Sequence, residues 1–158
     1  WREVVGPAEG LADVWWKTGR LKLKADAGAT GGGFSQVEVV DPLGTATPLH
    51  LHHDAEETFH ILEGEVTLVV GDQKHELGVG GFALIPRGVP HAYLVRSDVA
   101  RMLVTFSPSG FERVFADIGV PASDGQEPPP DSVFPPMDEV VRAFARYGCE
   151  ILGPPPTL

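Results

Sequence analysis

Short stretches of alternating apolar and polar residues, separated by turn residues, dominate the middle of the chain. Successive side chains of a β-strand point to opposite faces, so this alternation predicts half-buried strands. The predicted strands are about Ser35–Val40, Thr58–Leu62, Glu65–Val70, Phe82–Ile85, His91–Arg96 and Arg101–Phe106. Turn residues divide them at Gly71-Asp72, at 78–81 and at Ser97-Asp98. Many short strands with regular turns predict an all-β sandwich or barrel.

The segment before these strands, residues 1–33, has a mixed pattern. Residues 21–24 alternate in strand fashion, which predicts an additional strand able to pair with a sheet edge. The glycines at 31–33 lack the strand-to-helix context of a phosphate-binding loop and predict a turn.

From Pro108 onward the apolar spacing changes to that of a helix. Apolar residues fall at i, i+3, i+4 and i+7, namely at Phe111, Val114, Phe115 and Ile118. Ser109 and Glu112 have the spacing of a capping box, and Gly119 is placed to end this helix.

The rest of the chain predicts a linker and a second helix. Residues 121–136 are rich in proline, aspartate and glycine and predict an extended linker. The second helix is predicted from Met137 to Tyr147, stopped by Gly148. Two short helices with apolar stripes need a surface to cover, so we expect them on the outside of the barrel or on a partner subunit.

Composition narrows the class of protein. With 158 residues the chain suits a single domain, 1–158, with a barrel core at about 30–107 and a helical extension at about 108–158. No apolar run approaches the length of a membrane span. Net charge −10 argues against a nucleic-acid partner. A single cysteine, Cys149, cannot form an internal disulfide, which favours a reducing cytoplasm.

Metal-binding chemistry is indicated by two clusters of polar residues. His50, His52 and Glu57 lie within eight residues, and residues i and i+2 of a strand share a face, so both imidazoles can point at one place. A second cluster runs from Gly80 to His91, with a rigid turn at 86–88 before the histidine. Three imidazoles and one carboxylate suit one divalent transition metal, namely iron, manganese, cobalt, nickel, copper or zinc.

At these residues the chain resembles the cupin superfamily. Its first motif, G-x5-H-x-H-x4-E-x6-G, is matched at Gly44, His50, His52, Glu57 and Gly64. Its second motif, G-x5-P-x-G-x2-H-x3-N, is matched at Gly80, Pro86, Gly88 and His91, with Val95 in place of the asparagine. That asparagine is not a metal ligand in the family, so the departure concerns only packing or pocket polarity.

The resemblance implies an all-β fold: a single cupin barrel, the jelly-roll or double-stranded β-helix, here with two short C-terminal helices. The tail from Pro108 to Pro155 also resembles a bacterial group of small cupins described as similar to quercetin 2,3-dioxygenase. The implied metal ligands are His50, His52, Glu57 and His91.

Strand phase also predicts a pocket. Phe59 and Ile61 share the face of Glu57, and Tyr93 shares the face of His91, so these three residues are the candidates for substrate binding. An ordinary barrel core is an equally good interpretation of Ile61. The other histidines, His53, His60 and His75, are expected outside the ligand set because of their phase or their polar neighbours.

Three function classes follow from the resemblance. The first is a metal-dependent dioxygenase acting on a small aromatic or enolic, flavonol-like substrate, with Glu57 as ligand and catalytic base. The second is a metal-dependent isomerase, cyclase or lyase of a small carbonyl compound. The third is a non-catalytic small-molecule binding module. We also expect a homodimer, because small cupins commonly associate and the 21–24 segment offers a strand for pairing.

Overall fold

Two antiparallel β-sheets enclose the core of the protein in the computed structural model, which describes Val4, Gly6 and residues 10–158. The strands among these residues are β1 (Ala12–Trp16), β2 (Gly19–Ala25), β3 (Ser35–Pro42), β4 (Leu49–His52), β5 (Glu56–Glu63), β6 (Val66–Val70), β7 (Gln73–Leu77), β8 (Phe82–Ile85), β9 (His91–Val95), β10 (Val99–Ser107), β11 (Val120–Pro121) and β12 (Cys149–Gly153). The larger sheet has the order β11-β1-β2-β3-β10-β5-β8, and the smaller has β12-β4-β9-β6-β7. This architecture is the jelly-roll barrel that the sequence predicted.

Alternation along the strands explains the core. In β3 every second residue is buried, and Val37 and Val39 pair across the sheet with Val104 and Met102 of β10. These four side chains are at most 5% exposed. Burial of such apolar rows from both sheets is the main stabilising contribution to the barrel. The six predicted strands are all present, and β5 extends to Glu56, which places Glu57 within the strand.

The N-terminal strands are more numerous than the sequence indicated. The 21–24 segment forms part of β2, which pairs with β1 on one side and β3 on the other. Because both edges of β2 are occupied within its own chain, it is not free for the intersubunit pairing that supported the expected dimer. The homodimer stays a prediction.

The helices among the described residues are α1 (Ala27–Thr30), α2 (Arg113–Ile118) and α3 (Met137–Arg146), with a short 3-10 turn at Asp131–Val133. The two predicted helices are α2 and α3, and α1 is additional. The predicted capping box is wrong. Glu112 itself precedes the helix, and its carboxylate accepts hydrogen bonds from the backbone N–H groups of Gly110 and Ala27. None of the helices in the described part of the chain is long and apolar enough to span a membrane.

The proline-rich segment 121–136 packs on the β1–β2 hairpin. Phe134 is buried and lies edge-on to Trp16, with the ring centroids 5.7 Å apart. Lys17 Nζ forms an ion pair with Asp131 Oδ1 at 2.9 Å. Specific contacts therefore attach the segment to the hairpin.

The strand that follows α3 has no counterpart among the predicted elements. In β12, Cys149 pairs with His52 and Ile151 with His50, so β12 lies along the outer edge of β4. The C-terminal segment thus completes the sheet that carries both histidines of the first cluster.

Candidate metal centre

The four predicted ligands come together between the two sheets. His50 and His52 are alternate residues of β4, and His91 of β9 pairs directly with His50. Glu57 belongs to β5 in the opposite sheet. All four side chains are buried, and one donor atom from each lies within 4.8 Å of the others. The cluster therefore has the donor spacing of a single-ion site.

One carboxylate oxygen faces all three imidazoles. Glu57 Oε2 lies 2.6 Å from His91 Nε2, 3.0 Å from His52 Nε2 and 3.8 Å from His50 Nε2. With metal–ligand bonds of about 2.1 Å, donor atoms around one ion are separated by roughly 3–4 Å. The observed separations are close to that range.

Backbone carbonyls fix the orientation of two imidazoles. His50 Nδ1 lies 2.7 Å from Pro48 O, and His91 Nδ1 lies 2.9 Å from Val89 O. When Nδ1–H donates to a carbonyl, Nε2 keeps its lone pair for a metal ion. Both ring nitrogens of His52 are buried, and among the described residues neither makes a hydrogen bond of normal geometry, although Nε2 lies 3.0 Å from Glu57 Oε2. A cation between His52 Nε2 and the carboxylate would satisfy one of them.

The electrostatics of the cluster also favour a cation. Burial alone would raise the pKa of Glu57, but the facing His91 and His52 outweigh it and hold this pKa well below its usual range. Burial lowers the pKa of His91, yet the charge and hydrogen bond of Glu57 outweigh burial and raise it. The carboxylate is thus ionised and stabilises positive charge beside it. Together with the nitrogen and oxygen donors, this fits a divalent transition metal.

An apolar cavity of about 140 Å³ opens beside the cluster, and His50 and Glu57 form part of its wall. Its aromatic lining consists of Trp16, Tyr93, Phe106, Phe111, Phe115 and Phe144. Apolar walls restrict the access of water to the cluster, which strengthens electrostatic interactions there.

The predicted substrate-binding residues have different positions. Tyr93 lines the cavity. Phe59 and Ile61 are on the predicted face but only 2% and 1% exposed, and they lie in the core rather than among the described residues that line the cavity. Phe59 lies deeper in the core than the cavity wall. Its ring centroid is 5.9 Å from that of Tyr93 and 6.2 Å from that of His91, so it packs behind these two residues. Both residues pack in the core of this structure, and their contact with a substrate stays a prediction.

A residue that the sequence analysis did not single out, Asp41, lies on the same cavity wall. It is 2% exposed, and its Oδ2 accepts a hydrogen bond of 2.5 Å from the hydroxyl of Tyr93. Burial, opposed in part by that hydrogen bond, raises the pKa of Asp41 from its ordinary 3.8 to about 6. The alternation along the strand could have indicated that Asp41 is buried, because Asp41 lies on the same face of β3 as Val37 and Val39.

Asp41→Asn should stabilise the protein at pH 8. A carboxyl whose pKa is raised on folding does not destabilise the folded state at a pH below its unfolded pKa. At a pH above its folded pKa it destabilises the folded state by the full amount. A shift from 3.8 to about 6 corresponds to about 3 kcal/mol. In urea unfolding of the metal-free proteins, the variant should therefore have a higher free energy of unfolding than the wild type, and this difference should increase between pH 4 and pH 7. A difference in the free energy of unfolding that is constant with pH would contradict the raised pKa of Asp41, since an effect of packing alone does not depend on pH.

The remaining candidate groups lie outside the cluster. His53 is exposed and bonds Glu150 through Nε2 at 2.8 Å, and His60 and His75 are exposed. Burial raises the pKa of Cys149, which keeps its thiol protonated and unreactive. These placements confirm the assignment of all three histidines outside the ligand set.

Comparison with known proteins supports the same fold. A protein-family model described as a cupin domain matches residues 36–106. The quercetin 2,3-dioxygenase of Bacillus subtilis (strain 168) is 30% identical to the chain over 107 residues, which cover 68% of the chain and 32% of that protein. The chain thus spans about a third of the length of this curated relative.

Solved structures show the fold. A predicted oxalate decarboxylase from Thermotoga maritima is 16% identical with a TM-score of 0.63, covering 67% of this chain and 99% of that one. The polyketide cyclase RemF from Streptomyces resistomycificus is 24% identical with a TM-score of 0.59, covering 69% of this chain and 81% of that one. The barrel is therefore shared by proteins with different activities, and the chemistry has to be argued from the site.

Proposed function

Because this chain contains a cupin domain and folds as a cupin barrel, we propose that it is a metal-dependent dioxygenase of small aromatic or enolic compounds. One observation carries this proposal. Three imidazole nitrogens and one carboxylate oxygen, all buried, face a common point on the wall of an apolar cavity. A divalent transition metal suits this donor set.

His50, His52, Glu57 and His91 would hold the ion. A bound metal would supply Lewis-acid chemistry toward a substrate oxygen and dioxygen. The carbonyls of Pro48 and Val89 orient two of the imidazoles before any ion arrives, which reduces the reorganisation needed for binding. The aromatic walls would position a planar substrate and restrict water.

Glu57 has a second proposed role, as the base that takes a proton from the substrate hydroxyl. Glu57 forms part of the cavity wall, and its carboxylate is in the ionised form that can accept a proton. The likeness to a quercetin 2,3-dioxygenase supports dioxygen as the second substrate.

A second candidate is a metal-dependent isomerase, cyclase or lyase. The observation that favours it is the buried Asp41–Tyr93 pair on the same wall, since such a pair can exchange protons with a substrate without dioxygen. Both candidates use the same ligands, so the metal site does not discriminate between them.

Dioxygen consumption tests the proposal. Protein loaded with its native metal should turn over at least one member of a panel of phenols and enols, with one dioxygen consumed per product in an oxygen electrode. The same reaction in an anaerobic chamber should stop completely, and the exposed-site variant His75→Ala should behave as the wild type. Full anaerobic turnover would replace the dioxygenase by the isomerase, cyclase or lyase. If no compound is turned over, the protein is a binding module.

A further inference from the structure

Two features of the cavity bear on what it can hold. The first is its size. About 140 Å³ is close to the roughly 150 Å³ of an apolar cavity that binds benzene, and well below the ~300–1,000 Å³ of pockets for drug-sized ligands. A single ring fits this space, whereas the three rings of a flavonol do not.

The second feature is the Asp41–Tyr93 pair. A buried carboxylate without a cation is expensive, and in the described part of the chain the Tyr93 hydroxyl is the one side-chain donor that bonds the Asp41 carboxylate. An ionised carboxylate has about four acceptor positions, so Asp41 can bond further donors. Two well-packed apolar residues in place of Asp41 and Tyr93 would avoid the cost of burying this pair.

The local backbone is adapted to this carboxylate. A Cβ on Gly19 of β2 would overlap Asp41 Oδ1, so the absence of a side chain at residue 19 leaves room for the carboxylate. The carboxylate is therefore accommodated by its surroundings at two points, by Gly19 and by Tyr93. This accommodation, combined with the cost of burial, points to a function in binding.

The pair lies close to the metal ligands. Tyr93 is two residues from His91 on the same strand, and its ring packs on Phe59, which also contacts His91. A ligand whose oxygen reaches the metal cluster thus has the Asp41–Tyr93 pair as a polar partner elsewhere along the wall. Apart from the cluster, the rest of that wall is mostly apolar, with Lys17, Thr45 and Thr47 as its other polar residues.

We propose that the Asp41–Tyr93 pair selects the substrate, by binding a hydroxyl or other hydrogen-bond donor on a one-ring phenol or enol whose first oxygen lies at the metal cluster. This inference rests on the proposed function, because it requires an occupied metal site. It restricts the substrate class to compounds with one ring and two polar groups, smaller than the flavonols that the resemblance suggested.

The test measures binding to the full chain loaded with zinc, a redox-inert ion, under nitrogen. The probes are catechol, resorcinol and hydroquinone, each with its monomethyl ether, together with phenol and quercetin, and affinities are taken from calorimetry. At least one dihydroxybenzene should bind about tenfold more tightly than its ether, as expected for a hydrogen bond to a charged group. Quercetin should bind more weakly than that isomer.

Two variants identify the group responsible. Asp41→Asn should reduce the tenfold preference to about twofold and leave the affinity for phenol unchanged, and Tyr93→Phe should reduce it in the same direction. Asp72→Asn makes the same change of charge at an exposed turn and should keep the full preference. Urea unfolding verifies that each variant is folded.

The outcomes separate the two proposals. If elemental analysis finds no zinc in the protein, the proposed function fails and this inference fails with it. If zinc is bound, the inference alone is overturned by any of three results: none of the three isomers binds, quercetin binds as tightly as the best of them, or Asp41→Asn keeps the tenfold preference.

Discussion

Replacing His52 or Glu57 by alanine is expected to remove nearly all bound metal from the protein. Each substitution deletes one of the four buried donors, and Glu57→Ala also deletes the one negative charge that faces the three imidazoles. Residues that only support a ligand typically contribute about 10–100-fold to metal affinity, so loss of a ligand should cost at least about 100-fold. Elemental analysis after dialysis against a weak chelator measures this loss.

The fold should survive both substitutions, since the barrel core is apolar and extensive. His53→Ala and His75→Ala are the matched controls, because each removes an exposed imidazole, one of them adjacent to His52. Both should keep the metal content of the wild type. Equal metal loss from His53→Ala and His52→Ala, in proteins with the circular dichroism of a folded barrel, would refute the ligand assignment.

Gly64→Ala should destabilise the protein by more than about 4 kcal/mol, the range of exceptional point mutations. Gly64 follows β5 with φ +81°, in the left-handed region that disfavours side chains. An added Cβ would also overlap the carbonyl oxygen of Val99 and the hydroxyl of Ser97. Because the Val99 oxygen belongs to the backbone, removing this overlap requires a shift of β10, which pairs with β5 along its length. The midpoint of urea unfolding measures the effect.

Gly71→Ala is the control for backbone conformation. Gly71 has φ +59°, and a Cβ there would meet nothing within 4 Å. Its substitution should cost only about 1–2 kcal/mol, the conformational penalty by itself. A similar loss of unfolding free energy in the two variants would contradict the prediction, because it would mean that the structure accommodates a Cβ at Gly64 without a further energetic cost.

Sequence spacing was sufficient to find the four residues of the candidate metal centre. His50 and His52 are separated by one residue on a strand, and the matches at Gly44 and Gly64 fixed the motif around them. The strand period likewise predicted six strands, because alternation reports directly which face is buried. These features are local, and local patterns are what a single sequence displays.

The parts that escaped prediction depend on contacts between distant segments. Asp41 meets Tyr93 only because β3 and β9 belong to opposite sheets. Phase placed Phe59 and Ile61 on the interior face, but how deep the cavity extends depends on side chains from several elements, including Trp16 and Phe144. The strand β12 is short and follows a helix, so it is recognised as a strand only by its pairing with β4.

That pairing of β12 with β4 has a consequence for the order of events during synthesis. His53 and Glu150, which bond each other across the two strands, are separated by 97 residues. At translation rates of about 5–20 residues per second, roughly 5–20 s pass between the synthesis of β4 and the synthesis of β12, which pairs with its outer edge. All four ligands leave the ribosome before β12 does. A nascent or truncated chain that ends before Cys149 therefore carries all four candidate ligands, two of them on β4, whose outer edge is then unpaired and exposed to aggregation.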